Sequence, residues 1–226
     1  MEYSDSDRLY KFFDGAVSVR VFDKPEHAYC FEASFRPDHP LASSLFSRKP
    51  PLHFHPYQDE QIKVLSGQLI VDVEGQEHRL SPNDAELRVR RWAHHRLRPS
   101  MDDPEKVEIR ALVTGQKSSQ LFREDVLFLE NWYRYQDDIV MNKKKVELLQ
   151  ILAMFDAGGT YLSFPTWIPF GKTISRITGI VLGRWLGGML GYQPFYREWS
   201  TDWNLACLKM ESSNFQKRFA NRARTE

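Results

Sequence analysis

The sequence predicts an all-β core followed by an α-helical C-terminal extension, on two observations. Short segments with alternating apolar and polar residues recur through the first half, separated by turn pairs such as Ser66-Gly67 and Glu74-Gly75. From about Gln120 onward, apolar residues recur instead at intervals of three and four, which is typical of helices. We therefore expect residues 1–118 to form a barrel with N-terminal strands, and residues 119–226 to form a helical extension that packs on the barrel or on a partner.

Each strand of the predicted core has its own pattern. Val17, Val19 and Val21 alternate with polar neighbours, and the run from Tyr29 to Phe35 places alternate large side chains on one face. The later segments with strand character are EQIKVL, QLIVDVEG, AELRVR, HRLR and VEIRALVT. Because no helical period precedes about Gln120, we expect an antiparallel sandwich or barrel.

The second half divides into helices and a loop. Residues 124–159 have the apolar spacing of one or two helices that stop at Gly158-Gly159. The segment SFPTWIPFGK contains two prolines and is predicted to be a loop with aromatic anchors. A further helix is expected from about Lys172 to Gly191.

Four glycines recur at every fourth position of that last helix, which places them on one face: Gly179, Gly183, Gly187 and Gly191. Such spacing lets a helix approach its neighbour closely. We expect a lid over the barrel mouth or a homodimer surface. The alternative is a peripheral membrane patch, because Arg176, Arg184 and nearby aromatic residues suit an interface with lipid.

Composition restricts the class of protein. The 31 basic and 30 acidic residues give a formal net charge of +1, so no global charge favours nucleic acid as a partner. Cys30 and Cys207 lie far apart and indicate no disulfide framework, which favours a reducing compartment. The start of the chain lacks the pattern of a secretory signal, so we expect a cytoplasmic protein, with membrane association as the alternative.

A histidine-rich stretch, LHFHPYQDE, is the strongest candidate site. His53 and His55 project from the same face of a strand because side chains alternate with period two. Glu60 follows on the next predicted strand and can point back at the same cavity. A later pair, His94 and His95, faces opposite ways, so we expect one of the two to join the group. Neutral imidazoles with one carboxylate and open positions suit Fe(II), Mn(II), Ni(II) or Zn(II).

These motifs resemble those of the cupin superfamily. The pattern His53-x-His55-x4-Glu60-x6-Gly67 resembles the first cupin motif, and GQEHRLSPNDAELRVRRWAHHRL resembles the second. The resemblance implies a double-stranded β-helix barrel with a metal held by His53, His55, Glu60 and His95. His95 is favoured over His94 by its register before the closing Arg-Leu.

The chain from about residue 50 to residue 196 is also similar to small fungal cupins of secondary-metabolite pathways. It departs from the motifs where Ser47 replaces a glycine, Asn83 replaces the turn glycine, and Arg90-Arg91-Trp92 replaces a Pro-x-Gly corner. The resemblance implies an oxidoreductase or oxygenase that acts on a hydrophobic, aromatic or polyketide-like small molecule. Fe(II) is the expected metal, with Zn, Mn or Ni as alternatives.

Three hypotheses about function follow from these observations. In the first, Glu60 takes part in catalysis as well as binding metal, while Tyr57 or Arg90 orients the substrate. In the second, the same histidines and Glu60 perform the acid–base chemistry of a cyclase, isomerase or dehydratase, with or without Zn(II). In the third, the protein binds an apolar metabolite without turnover.

Overall fold

The computed structural model describes residues 7–102 and 108–222. The chain forms two compact units, of which the first comprises residues 1–54 and 58–118 and the second comprises residues 55–57 and 119–226. No helix among the described residues combines the length and the apolar character that crossing a bilayer requires.

The first unit is built from two antiparallel sheets. One sheet has the strand order β1-β2-β3-β10-β5-β8, and the strands β4-β9-β6-β7 are neighbours in the other. The bounds are β1 (Arg8–Phe12), β2 (Val17–Val21), β3 (His27–Phe35), β4 (His53–Phe54), β5 (Glu60–Ser66), β6 (Leu69–Val73), β7 (Gln76–Leu80), β8 (Leu87–Val89), β9 (His95–Pro99) and β10 (Ile109–Gln116). The predicted all-β core is confirmed.

The alternating patterns explain which side chains fill the core. Val17, Val19 and Val21 are buried while the residues between them are partly exposed, as a strand with one covered face requires. β3 is buried on both faces for most of its length, and its Glu32 pairs with Arg110 at 3.3 Å. A short helix, α1 (Ala42–Phe46), lies between β3 and β4, so the expectation of no helix before about Gln120 is wrong there.

The second unit is mainly helical, as predicted for the C-terminal half. Its elements are α2 (Val126–Met141), α3 (Leu148–Ala157), β11 (Tyr161–Leu162), α4 (Gly171–Thr178), a π-helical stretch (Gly179–Gly187), α5 (Gly188–Leu190) and α6 (Trp203–Glu211). Asp125 caps α2 by accepting a hydrogen bond from the Phe128 amide at 3.0 Å, which satisfies one of the amides left free at the helix start.

Two groups of contacts hold this unit together. Leu127, Ala157, Phe195, Ala206 and Met210 form a buried apolar cluster. The continuous helix from Gly171 to Leu190 packs on α3 through its small residues, since a Cβ added at Gly183 would overlap the Leu152 carbonyl. Gly183 and Gly187 of the predicted glycine face thus lie against α3, a neighbour that the spacing alone did not identify, whereas Gly179 faces Tyr161 and Gly191 lies beyond the end of the helix.

Candidate metal centre

The site begins with a cross-strand pair of histidines. His53 on β4 lies directly opposite His95, the first residue of β9, and their ring centroids are 4.4 Å apart. His55 follows His53 by two residues. One ligand nitrogen from each of the three rings lies within 4.8 Å of the other two. Among the described residues, these three histidines are the side chains that lie close enough together to share a metal ion.

Backbone carbonyls fix the orientation of two of these rings. His53 Nδ1 lies 3.0 Å from the Pro51 carbonyl oxygen, and His95 Nδ1 lies 3.0 Å from the Ala93 carbonyl oxygen. A carbonyl oxygen only accepts hydrogen bonds, so Nδ1 carries the proton in both rings. In a neutral ring Nε2 then keeps its lone pair, which is the arrangement that metal-binding histidines require.

The third ring is held by side chains. Thr160 Oγ1 lies 3.1 Å from His55 Nδ1, and Glu124 Oε2 lies 3.3 Å from His55 Nε2. All three residues are buried. Nothing in the sequence marked Glu124 or Thr160, because both lie far from His55 along the chain and neither belongs to a recognisable motif.

Glu60 lies next to His95. It is the first residue of β5, and its Oε2 is 2.9 Å from His95 Nε2. Glu60 is not a member of the group of three rings defined by mutual distances within 4.8 Å. Its carboxylate nevertheless faces the nitrogen of His95 that keeps a lone pair when the ring is neutral.

The electrostatics of His53 favour its neutral form. Desolvation of the ring, assisted by the neighbouring His95, lowers the pKa of His53 to about 3, against the opposing effect of the Pro51 hydrogen bond. A neutral imidazole is the form that coordinates a metal.

The remaining candidates have other contacts. His94 packs edge-on against Phe54, with ring centroids 5.5 Å apart, and it is His95 that joins the group of three. Tyr57 has the Arg176 guanidinium 5.7 Å from its ring centroid. Arg90 is exposed in a turn where its carbonyl accepts a hydrogen bond from the Ala93 amide. Neither Tyr57 nor Arg90 is part of the histidine group.

The donor set fits a divalent metal. Three buried or half-buried imidazoles converge, each has a partner at Nδ1, and Glu60 offers a carboxylate beside one of them. Histidine and carboxylate ligands with positions left open suit iron, manganese, nickel or zinc. The identity of the metal does not follow from this set, because all four accept it.

Comparison with known proteins identifies the family. Residues 47–108 match the Cupin domain model. The chain is 44% identical over 214 residues to "Probable oxidoreductase yanE" of Aspergillus niger, covering 93% of this chain and 83% of that protein. It is 36% identical over 172 residues to "Epoxidase atD" of Aspergillus terreus, covering 76% of this chain and 53% of that protein. Among solved structures, a cupin-2 domain from Rhodospirillum rubrum matches with a TM-score of 0.38 and 12% identity, over 53% of this chain and 76% of that chain. The chain therefore belongs to the cupin superfamily, as an enzyme of a group of fungal oxidoreductases.

Proposed function

We propose that this cupin is a metal-dependent oxidoreductase that acts on a hydrophobic small molecule in secondary-metabolite biosynthesis. The observation that carries the proposal is the convergence of His53, His55 and His95. Their Nδ1 atoms have partners on the backbone or on Thr160, and in this proposal the Nε2 atom of each ring binds the metal.

In this proposal the three histidines hold the metal, and Glu60 is the fourth ligand. Fe(II) is the expected metal, and when bound it would supply the electron-transfer chemistry toward dioxygen that side chains alone lack. Pro51 and Ala93 hold His53 and His95 in the required tautomer through their carbonyls. Glu124 Oε2 lies 3.3 Å from His55 Nε2, so it would lie beside the metal-binding side of that ring as a second carboxylate near the metal. Tyr57 and Arg90 remain the proposed residues for orienting the substrate.

The substrate class is proposed from the relatives. Those described above are named as an oxidoreductase and an epoxidase, which supports oxidation as the reaction type. In such a reaction dioxygen accepts the electrons that the substrate loses, and insertion of a single oxygen atom also needs two electrons from an external reductant. An aromatic or polyketide-like molecule remains the proposed substrate. The cytoplasmic location stays a prediction, supported by two cysteines that are both free and buried.

One feature favours a second candidate, a non-redox cyclase, isomerase or dehydratase. The described residues contain two imidazole–carboxylate pairs at this site, His95 with Glu60 at 2.9 Å and His55 with Glu124 at 3.3 Å. All four side chains are buried, and each pair can hold and release a proton, which is what general acid–base catalysis requires.

Metal content is the first test of the metal-dependent oxidoreductase. Protein purified without an affinity tag would be reconstituted anaerobically with Fe(II), Mn(II), Ni(II) or Zn(II) and analysed for bound metal, beside His53→Ala and His95→Ala. We expect near-stoichiometric metal in the wild type and its loss in both variants. His94→Ala is the matched control, since His94 neighbours His95 but packs on Phe54, and it should retain the metal.

The iron form would then be exposed to nitric oxide, a substitute for dioxygen that gives a paramagnetic signal on Fe(II) with an open position. A signal that is absent in His95→Ala supports the oxidoreductase. If the wild type binds no metal after reconstitution, or if His53→Ala binds it equally well, the metal-dependent proposal is wrong. The acid–base candidate would then take its place.

A further inference from the structure

The helix from Gly171 to Leu190 and the loop before it expose a continuous row of large apolar side chains, which we call the apolar face. Its members are Trp167, Phe170, Ile174, Ile177, Val181, Trp185 and Met189. From Phe170 to Met189 they recur at intervals of three or four residues, so they share one side of the helix. Trp167 and Phe170 are 80% and 83% exposed. Contiguous exposed apolar residues of this kind mark interaction sites.

The opposite side of the same helix is firmly packed, so the apolar face is held outward. A Cβ added at Gly179 would lie 2.8 Å from the Tyr161 ring, and one at Gly183 would overlap the Leu152 backbone. Arg184 donates to Asp156 through Nε at 2.6 Å and through a terminal nitrogen at 3.0 Å. The helix therefore cannot turn its apolar residues inward without losing these contacts.

The segment that carries the apolar face contains charged residues of one sign. From Ala157 to Arg197 the sequence contains no aspartate or glutamate. Lys172 stands in the first turn of the helix, two residues after Phe170. At the other end, Arg218 donates to the Met189 carbonyl at 3.0 Å, and its neighbour Lys217 is exposed. Cations thus border both ends of the row, and the segment that carries it offers no carboxylate to repel an anion.

Phe170 combines an unfavourable backbone conformation with an exposed aromatic ring. Its φ of 57° is left-handed, a conformation that bulky side chains rarely adopt, and its ring is almost fully in solvent. Backbone strain and exposed apolar area therefore coincide at one residue, and contact of the ring with an apolar environment outside the chain would offset the cost of its exposure.

We propose that the apolar face docks on a phospholipid surface that contains anionic headgroups. Trp167 and Phe170 would enter the boundary between headgroups and acyl chains, the helix would lie along the surface, and Lys172, Lys217 and Arg218 would meet lipid phosphates. This is the arrangement of an interfacial amphipathic helix, with aromatic residues on the apolar side and lysine or arginine at the margin.

Vesicle co-sedimentation tests the proposal on the full chain. Vesicles of phosphatidylcholine alone would be compared with vesicles of phosphatidylcholine and phosphatidylserine at low and high salt. We expect the wild type to bind the mixed vesicles more tightly, with tryptophan fluorescence shifting to shorter wavelength by an amount that falls in a Trp167→Ser variant. The Trp167→Ser/Phe170→Ser variant should lose about tenfold or more in affinity, since each ring buries upward of ~100 Å² of apolar area.

Two further variants test how much the lysine charges contribute to vesicle binding and whether the loss is specific to the apolar face. Lys172→Gln/Lys217→Gln should lose about fivefold per lysine on mixed vesicles and little on phosphatidylcholine alone. Leu9→Ser/Leu208→Ser is the matched control, because both leucines are about half exposed and lie outside the apolar face. It should bind like the wild type.

Three results would overturn the proposal: no binding to mixed vesicles, equal binding by the Trp167→Ser/Phe170→Ser variant with an unchanged melting temperature, or equal loss in the leucine control. Light scattering tests whether a second copy of this chain, instead of a lipid surface, covers the apolar face. A wild-type dimer that becomes monomeric in the Trp167→Ser/Phe170→Ser variant, without vesicle binding, would assign the apolar face to a second copy of this chain.

Discussion

The histidine group and the apolar face depart from the usual distribution of polar and apolar groups in opposite directions. The first withdraws imidazoles and carboxylates from water, with His55, His95, Glu60 and Glu124 all buried. The second leaves aromatic and aliphatic side chains in water, most of all Trp167 and Phe170. Single exposed apolar residues need no explanation, but buried polar clusters and contiguous apolar surfaces do.

The two regions differ in how their neighbours support them. Around the histidines, each ring nitrogen at Nδ1 has a specific partner, so the polar groups are satisfied one by one. Behind the apolar face, the support is close backbone packing and one buried ion pair, Asp156 with Arg184. A metal or catalytic site needs hydrogen bonds that orient each side chain, whereas a docking surface needs only a helix that is held rigidly in place by its packing. Three substitutions test this difference.

The largest effect is expected at Asp156. It is fully buried, accepts two hydrogen bonds from Arg184 and one from the Tyr161 hydroxyl, so Asp156→Ala leaves a poorly solvated guanidinium without its partner. We expect a loss of about 3–5 kcal/mol in the free energy of unfolding, measured by urea denaturation.

Asp138→Ala is the matched control for that measurement. Its carboxylate pairs with Lys144 at 2.6 Å, with the lysine side chain 58% exposed. A surface pair of this kind should contribute about 1 kcal/mol or less. Equal losses in the two variants would contradict the view that the buried pair helps to hold the helix in place.

A smaller effect is expected at Gly183. A methyl group there would overlap the Leu152 carbonyl, so Gly183→Ala must push the helix away from α3. The expected loss is about 1–3 kcal/mol, from thermal or chemical unfolding.

Gly171→Ala provides the opposite case in the same helix. The nearest neighbour of an added Cβ there lies 3.8 Å away, which is ordinary contact. Replacing a helical glycine by alanine then gains up to ~1 kcal/mol. If Gly183→Ala were as stable as Gly171→Ala, the helix would not depend on close packing against α3.

The smallest effect is expected at Thr160, and it should appear in metal affinity. Thr160→Val keeps the shape of the side chain and removes the hydroxyl that contacts His55 Nδ1 at 3.1 Å. Loss of such an orienting partner should weaken metal binding by about tenfold, measured by titration with Mn(II) or Zn(II). Thr160→Ser retains a hydroxyl and should bind as the wild type does. Unchanged affinity in Thr160→Val would show that His55 needs no partner.

The sequence predicted the features that depend on local period. Alternation around Val17–Val21 identified a strand, and the three- and four-residue spacing after Gln120 identified helices. The same period of two placed His53 and His55 on one side, and the cupin motif register selected His95, which the structure brings to the other two rings.

Features that depend on contacts distant in sequence were not predicted. Glu124 and Thr160 reach His55 only through the tertiary fold, and α6 has too short and mixed a pattern to be recognised. The predicted aromatic anchors of the loop SFPTWIPFGK include Trp167 and Phe170, which the structure exposes. Apolar character alone does not say whether a side chain meets its own core or another surface.

The direct pairing of His53 with His95 also makes the site sensitive to how the chain folds. A strand that pairs one residue out of register turns its side chains to the opposite face. If β4 slipped by one position against β9, His94 would stand opposite His53, and the group of three rings would not form. The two adjacent histidines are therefore not interchangeable copies. A metal ion that needs all three rings would bind only molecules in which β4 and β9 pair in the observed register. Such an ion would therefore stabilise this register relative to the pairing shifted by one residue.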